Sequence, residues 1–143
     1  MRITHRLEYA LKGLYYLAFL HPGEYLQVKT IARDTGIPKR FLEQIFLKLK
    51  DAGFLKSKRG TKGGYILAQN PAQITLKGIL SALEEWNQIP PPPLTKGGEE
   101  KFVWNLQKEL SEFLEKTSLE DLYTEDLKRY VETKGEKPLL YFI

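Results

Sequence analysis

The 143-residue sequence contains no cysteine. That absence excludes disulfides, thiol catalysis and cysteine-ligated metal. Histidine is almost as scarce, with His5 and His21 the only two, so no metal site is expected. No stretch approaches the ~18 consecutive apolar residues of a membrane span. The apolar residues behind the N-terminal arginines are interrupted by Glu8 and Lys12, so no signal peptide is expected either. Acidic residues are sparse in one half only. Residues 1–70 hold 13 Lys/Arg against 5 Asp/Glu, and residues 71–143 hold 9 against 13. The net charge of +4 therefore divides into +8 and −4. A basic half joined to an acidic half suits a polyanion partner for the first, or is a chance segregation of solvated charge.

The length allows one domain, or one small domain with an oligomerisation appendage. Thr4 is a plausible cap for a first helix over about 4–20, with Leu7, Leu11, Leu14 and Ala18 on one stripe. Pro22-Gly23 ends it. Val28 to Thr35 reads as a short helix with Ile31 and Ala32 inward, closed by Gly36. Pro38 suits the first turn of a third helix running to Ala52, where its missing N–H has no intrahelical partner. Leu42, Ile45, Leu49 and Ala52 are expected inward, which leaves Lys39, Arg40, Glu43, Gln44 and Lys48 outside. Helix, tight Gly-containing turn, helix is the helix-turn-helix layout.

After Gly53, residues 54–59 alternate as a strand. Gly60-Thr61-Lys62-Gly63 turns the chain, and Gly64 to Ala68 returns it. Asn70-Pro71 breaks this pattern, and Thr75 caps a helix over about 76–86. Four prolines, Pro90 to Pro93, make 87–98 a loop or stiff spacer. A long helix then begins near Glu99, with Phe102, Val103, Leu106, Leu110, Phe113 and Leu114 forming an apolar stripe. Ser118 and Asp121 have the spacing of a helix start, with Asp at the position usually held by Glu. The chain finishes Leu-Leu-Tyr-Phe-Ile.

Three groups of residues bear on function. The first is the outer face of the third helix. A major groove admits one helix, and Arg40 has the geometry to donate twice to guanine. Lys39 suits phosphate, Glu43 accepts from cytosine and Gln44 pairs with adenine, with Lys48 on the same DNA-facing side. The same face is equally consistent with a solvated amphipathic helix. The hairpin shifts the balance towards DNA. Lys56, Lys58, Arg59 and Lys62 cluster at a tip shaped by Gly60, Gly63 and Gly64, glycines that admit close approach of a phosphate. Arg59 is placed to enter a minor groove.

The second group is the apolar stripe of the long helix, which either packs within the chain or pairs two copies. The third is the apolar end, Tyr141, Phe142 and Ile143, which either docks on its own dimer or serves as a partner's ligand. No catalytic constellation is present. Glu84-Glu85 and Glu99-Glu100 are adjacent pairs without a nucleophile or histidine, so the chain is not expected to be an enzyme.

The stretches MRITHRLEYAL, IARDTGIPKRFLEQIFLKLKDAGFL, SKRGTKGGYILA and ITLKGILSALE resemble the Rrf2 family of bacterial transcription regulators. The resemblance implies a mainly α fold with a small β-hairpin wing, a winged helix-turn-helix dimerised through a long C-terminal helix. It implies contacts to double-stranded DNA, at a palindromic operator, from Lys39, Arg40, Glu43 and Arg59. Many members hold a [2Fe-2S] cluster on a cysteine loop. The corresponding loop here, 88–98, has none, so no cofactor is expected. FVWNLQKELSEFLEKTSLEDLY and the final LYFI resemble a cluster-free branch that represses cysteine metabolism with cysteine synthase as partner.

The sequence thus predicts a cytoplasmic, homodimeric DNA-binding regulator, a repressor by resemblance. It comprises a DNA-binding unit over 1–86, a linker over 87–98, and a dimerisation helix, final helix and tail over 99–143. A cysteine synthase adaptor that uses the tail is the alternative.

Overall fold

The computed structural model describes residues 5–84, 86 and 97–124. The Thr4 cap, most of the proline loop and the Tyr141–Ile143 tail lie outside the described residues.

Helix α1 spans His5–Tyr15 and buries Leu7, Ala10, Gly13, Leu14 and Tyr15. The helix expected to reach residue 20 instead widens into a π-helical turn over Tyr16–Leu20. The His21 N–H donates to the Tyr16 carbonyl at 3.2 Å, five residues back. The wider turn accompanies a long-range hydrogen bond, in which the Tyr16 hydroxyl donates to the carboxylate of Asp34. Asp34 lies in α2, Val28–Thr35. Arg33 Nε donates to the same carboxylate at 3.0 Å. Burial, and then Asp34, push the Tyr16 hydroxyl above its ordinary range. The Tyr16 hydrogen bond, and then Arg33, hold the Asp34 carboxyl below its own.

Gly36 closes α2 with φ 77°, a left-handed conformation. Pro38 is extended and stands just before α3, Lys39–Asp51, rather than in its first turn. Leu42, Ile45, Phe46 and Leu49 are the buried residues of α3. Ala52, expected inward, is exposed beyond the helix end. Phe46 was not anticipated in the core. It has no exposed surface. A Cβ added at Gly13 would stand 2.7 Å from Phe46 Cε1, so α1 and α3 cross where α1 has no side chain.

The hairpin pairs β1, Leu55–Lys58, antiparallel to β2, Gly64–Leu67, in the register Leu55↔Leu67 to Lys58↔Gly64. Each strand is shorter than its predicted run. Leu26 adds a one-residue rung on the other edge of β2: its N–H donates to the Tyr65 carbonyl at 3.0 Å, and the Tyr65 N–H to the Leu26 carbonyl at 2.8 Å.

Asn70 caps a short 3-10 turn over Pro71–Gln73 by accepting from the Ala72 N–H at 2.9 Å. Thr75 caps α4, Leu76–Ala82, by accepting from the Gly78 N–H at 3.0 Å. This helix stops four residues earlier than predicted, and Glu84 just beyond it takes φ 61°, which no helix accommodates.

Helix α5 spans Gly98–Lys116. Its end is tied back to α4: the Leu76 N–H donates to the Thr117 carbonyl at 2.9 Å, and the Leu119 N–H to the Ile74 carbonyl at 2.8 Å. The Ser118–Asp121 cap is reciprocal, with the Ser118 N–H on Asp121 Oδ2 at 2.8 Å and the Asp121 N–H on Ser118 Oγ at 3.1 Å. Residues 119–124 are helical, and the Tyr123 ring packs on Phe19 and Tyr15. Leu114 and Leu119 join the core formed by α1 to α4.

The Asp34 carboxylate contributes stability above its ordinary pKa of about 3.9. That contribution is lost as pH falls through its lowered folded value. Tyr16→Phe is expected to lower the urea midpoint at neutral pH, with the deficit shrinking once the carboxyl is protonated. Urea titrations across the acid range check this; a deficit independent of pH would contradict it.

Candidate nucleic-acid interface

The outward face of α3 follows from its helical period. With the side of Leu42, Ile45 and Leu49 buried, Lys39, Arg40, Glu43 and Gln44 are exposed on the other. Lys39 Nζ and Glu43 Oε1 are 3.7 Å apart with both side chains more than half exposed. Such an i,i+4 pair is worth about 0.3–0.5 kcal/mol, too little to keep either group from a better partner. The Arg40 guanidinium lies 4.7 Å over the ring of Phe41, a cation–π contact that restrains the side chain. Lys48 departs from the group: it is half-buried and its Nζ is 3.3 Å from Glu84 Oε2, at the end of α4.

In the wing, Lys56, Lys58, Arg59, Gly60 and Lys62 are exposed. The Gly63 N–H donates to the Gly60 carbonyl at 3.0 Å and closes the turn. Gln27 Nε2 donates to the Thr61 carbonyl at 3.1 Å, so the wing tip is pinned to the residue preceding α2. Lys58 Nζ lies 5.6 Å over the Tyr25 ring. Tyr65, on β2, meets Phe46 of α3 edge-to-face with centroids 5.2 Å apart, and burial raises the pKa of its hydroxyl. Helix and wing are thus locked to one another as well as to the helix-turn-helix.

The three glycines of the wing divide by role. Gly60 has φ 107° with open space around its Cβ position, as an exposed turn requires. Gly63 is buried, and a Cβ there would collide with the Lys58 carbonyl. Gly64 has φ 126°, and a Cβ would collide with the Leu26 carbonyl. Gly63 and Gly64 are therefore required by the folding of the wing itself. Leu26 and Gln27, which hold the wing, were missed in the sequence because a single bridging residue carries no alternating pattern.

The α5 stripe divides as well. Phe102, Val103, Leu106 and Phe113 are 63%, 52%, 51% and 59% exposed, whereas Leu114 is 5% exposed. Leu114 belongs to the chain's own core and not to a free face, and Leu110 packs against the core from the seam.

A protein-family profile described as "Rrf2: Iron-dependent Transcriptional regulator" matches residues 3–125. The HTH-type transcriptional regulator CymR of Bacillus subtilis is 33% identical over 125 residues, covering 85% of this chain and 89% of that protein. An HTH-type regulator of Synechocystis, slr0846, is 42% identical over 85 residues, covering 59% of this chain and 58% of its own length. The structure of CymR, described as the global cysteine regulator of B. subtilis, superposes with a TM-score of 0.73 at 30% identity, covering 87% of this chain and 97% of that one.

The profile's description names iron. The donor set here does not fit a thiolate-held cluster, because the sequence has no cysteine. Among the described residues no three of His, Asp and Glu stand together as a metal site.

Gly64→Ala is expected to cost about 1–3 kcal/mol, the scale of one strained backbone residue. Because the Leu26–Tyr65 rung must open, hydrogen–deuterium exchange is expected to show the Tyr65 amide losing protection; retained protection would contradict the assignment.

Proposed function

The chain belongs to the Rrf2 family of transcriptional regulators, and on that premise we propose that it is a homodimeric, sequence-specific repressor that reads DNA with α3 and the β1–β2 wing. The observation that carries this reading is the rigid pairing of an exposed Lys39/Arg40/Glu43/Gln44 face with an exposed Lys56/Lys58/Arg59/Lys62 wing. Arg40, Glu43 and Gln44 read base edges in the major groove, while Lys39 and the wing lysines take phosphates. Arg59 enters the adjacent minor groove, where a narrow groove concentrates negative potential. Lys48, drawn to Glu84, contacts DNA only by exchanging a weak surface pair for a phosphate.

Palindromic recognition needs two such units at a fixed separation, roughly 34–36 Å for successive turns. The exposed apolar face of α5 supports that pairing, because Phe102, Val103, Leu106 and Phe113 form a patch larger than scattered surface residues. No helix among the described residues is long and apolar enough to cross a membrane. The similarity to a protein described as a global cysteine regulator makes genes of sulfur amino-acid metabolism the first targets to test. The signal does not arrive through a thiolate-held cluster.

Affinity for a duplex selected from a random pool is expected to fall steeply with salt. Arg59→Ala is expected to cost about 1–3 kcal/mol of binding with an unchanged urea midpoint. Fluorescence anisotropy measures both, and wild-type affinity in the variant would remove Arg59 from the interface. Leu106→Asp places a charge in the α5 face and is expected to sediment as a folded monomer with weakened binding. Sedimentation as a dimer would exclude that face.

A further inference from the structure

A groove of ≈ 550 Å³ runs along the side of α3 that faces the start of α1, bordering the reading face at Gln44 and Lys48. One wall carries His5, Arg6 and Tyr9; the other carries Phe41, Gln44 and Lys48. The rings form a stacked row, with His5 on Tyr9 at 6.1 Å between centroids and Tyr9 on Phe41 at 6.4 Å. The row ends at Arg40, over Phe41. Phe41 is 39% exposed and contributes its ring to this wall instead of the core. Among the described residues, the lining includes Arg6 and Lys48 but no carboxylate. Among the described residues, Glu8 pairs with His5 at 3.3 Å and Glu84 with Lys48 at 3.3 Å, and both carboxylates are more than half exposed.

The geometry follows from the helix. At 3.6 residues per turn, Phe41 and Lys48 stand ~80–100° round α3 from Arg40. A helix seated in a major groove about 12 Å wide has a sugar-phosphate strand along each flank. If Arg40, Glu43 and Gln44 face bases, the Phe41/Lys48 flank faces one of those strands, and the start of α1 closes over it. We propose that this groove seats a DNA sugar-phosphate strand, with Arg6 and Lys48 on phosphate oxygens and the Tyr9 and Phe41 rings against deoxyribose. The proposal rests on the DNA-reading role of α3 and adds α1 to the interface. Surface pairs such as those of Glu8 and Glu84 are worth at most about 1 kcal/mol, so a phosphate displaces them readily.

The test uses the full chain and the duplex it selects from a random pool. Each phosphate is replaced in turn by a neutral methylphosphonate, and binding is measured for wild type and for Arg6→Gln. One phosphate per half-site, beside the bases read by α3 on the side away from the wing, is expected to matter. Its neutralisation weakens wild type about tenfold and leaves Arg6→Gln unchanged. Arg6→Gln binds all duplexes proportionately more weakly, and its salt slope falls by about 1. A folded Arg6→Gln with wild-type affinity and slope would overturn the proposal. So would a phosphate scan of the wild type, which needs no variant, showing contacts on the wing side alone. If the wild type enriches no duplex at low salt, the DNA-reading role fails, and this inference fails with it.

Discussion

One aromatic ring fixes the geometry on which the interface depends. Phe46 of α3 meets both α1, at the bare backbone of Gly13, and the wing, at Tyr65. Its close packing allows little adjustment, because protein interiors are as dense as organic crystals. The outer face of α3 and the basic wing consequently move as one body. Two further ties reinforce this unit, the Leu26–Tyr65 rung and the Gln27–Thr61 hydrogen bond, and both begin in the segment that leads into α2. The residues proposed to contact DNA are thereby carried on packed elements, which limits the ordering cost of engaging a ligand.

The charges follow a complementary logic. Lys39 and Arg40 of α3 and Lys58 of the wing are exposed and either paired weakly or resting on aromatic faces. Weak internal partners leave them available to a polyanion, whose condensed counterions are released on contact. The acidic residues gather in the second half, where α5 turns one side to α4 through Leu114 and the other to solvent through Phe102, Val103, Leu106 and Phe113. At ~100° per residue Leu114 sits only ~80° round from Leu106, so the two faces adjoin with Leu110 at their seam.

Features set by local chemistry were legible in the sequence. The Thr75 cap, the Ser118–Asp121 cap, the Gly36 turn and the hairpin centred on residues 60–63 each depend on residues within a few positions of one another. The exposed face of α3 was legible for the same reason, since a helical period alone places Arg40 and Gln44 outside. What escaped depends on distant partners. The π-helical turn accompanies a bond from Tyr16 to Asp34, Lys48 is diverted by Glu84, and Gly64 is required because Leu26 passes beside it. Phe46 was missed because the core of α3 is wider than a single stripe. The apolar stripe of α5 read as one face because nothing in its spacing distinguishes a side chain met by α4 from one left in solvent.

In the proposed reading, α3 and the wing form one rigid reading unit, used twice on a symmetric site. Hydroxyl-radical footprinting of the full chain on its selected duplex tests this most directly. Two equivalent protected segments are expected on one face of the duplex, separated by a whole number of turns of roughly 34–36 Å, each with minor-groove protection at its wing end. Protection of a single segment, or uniform coverage without a preferred position, would contradict it.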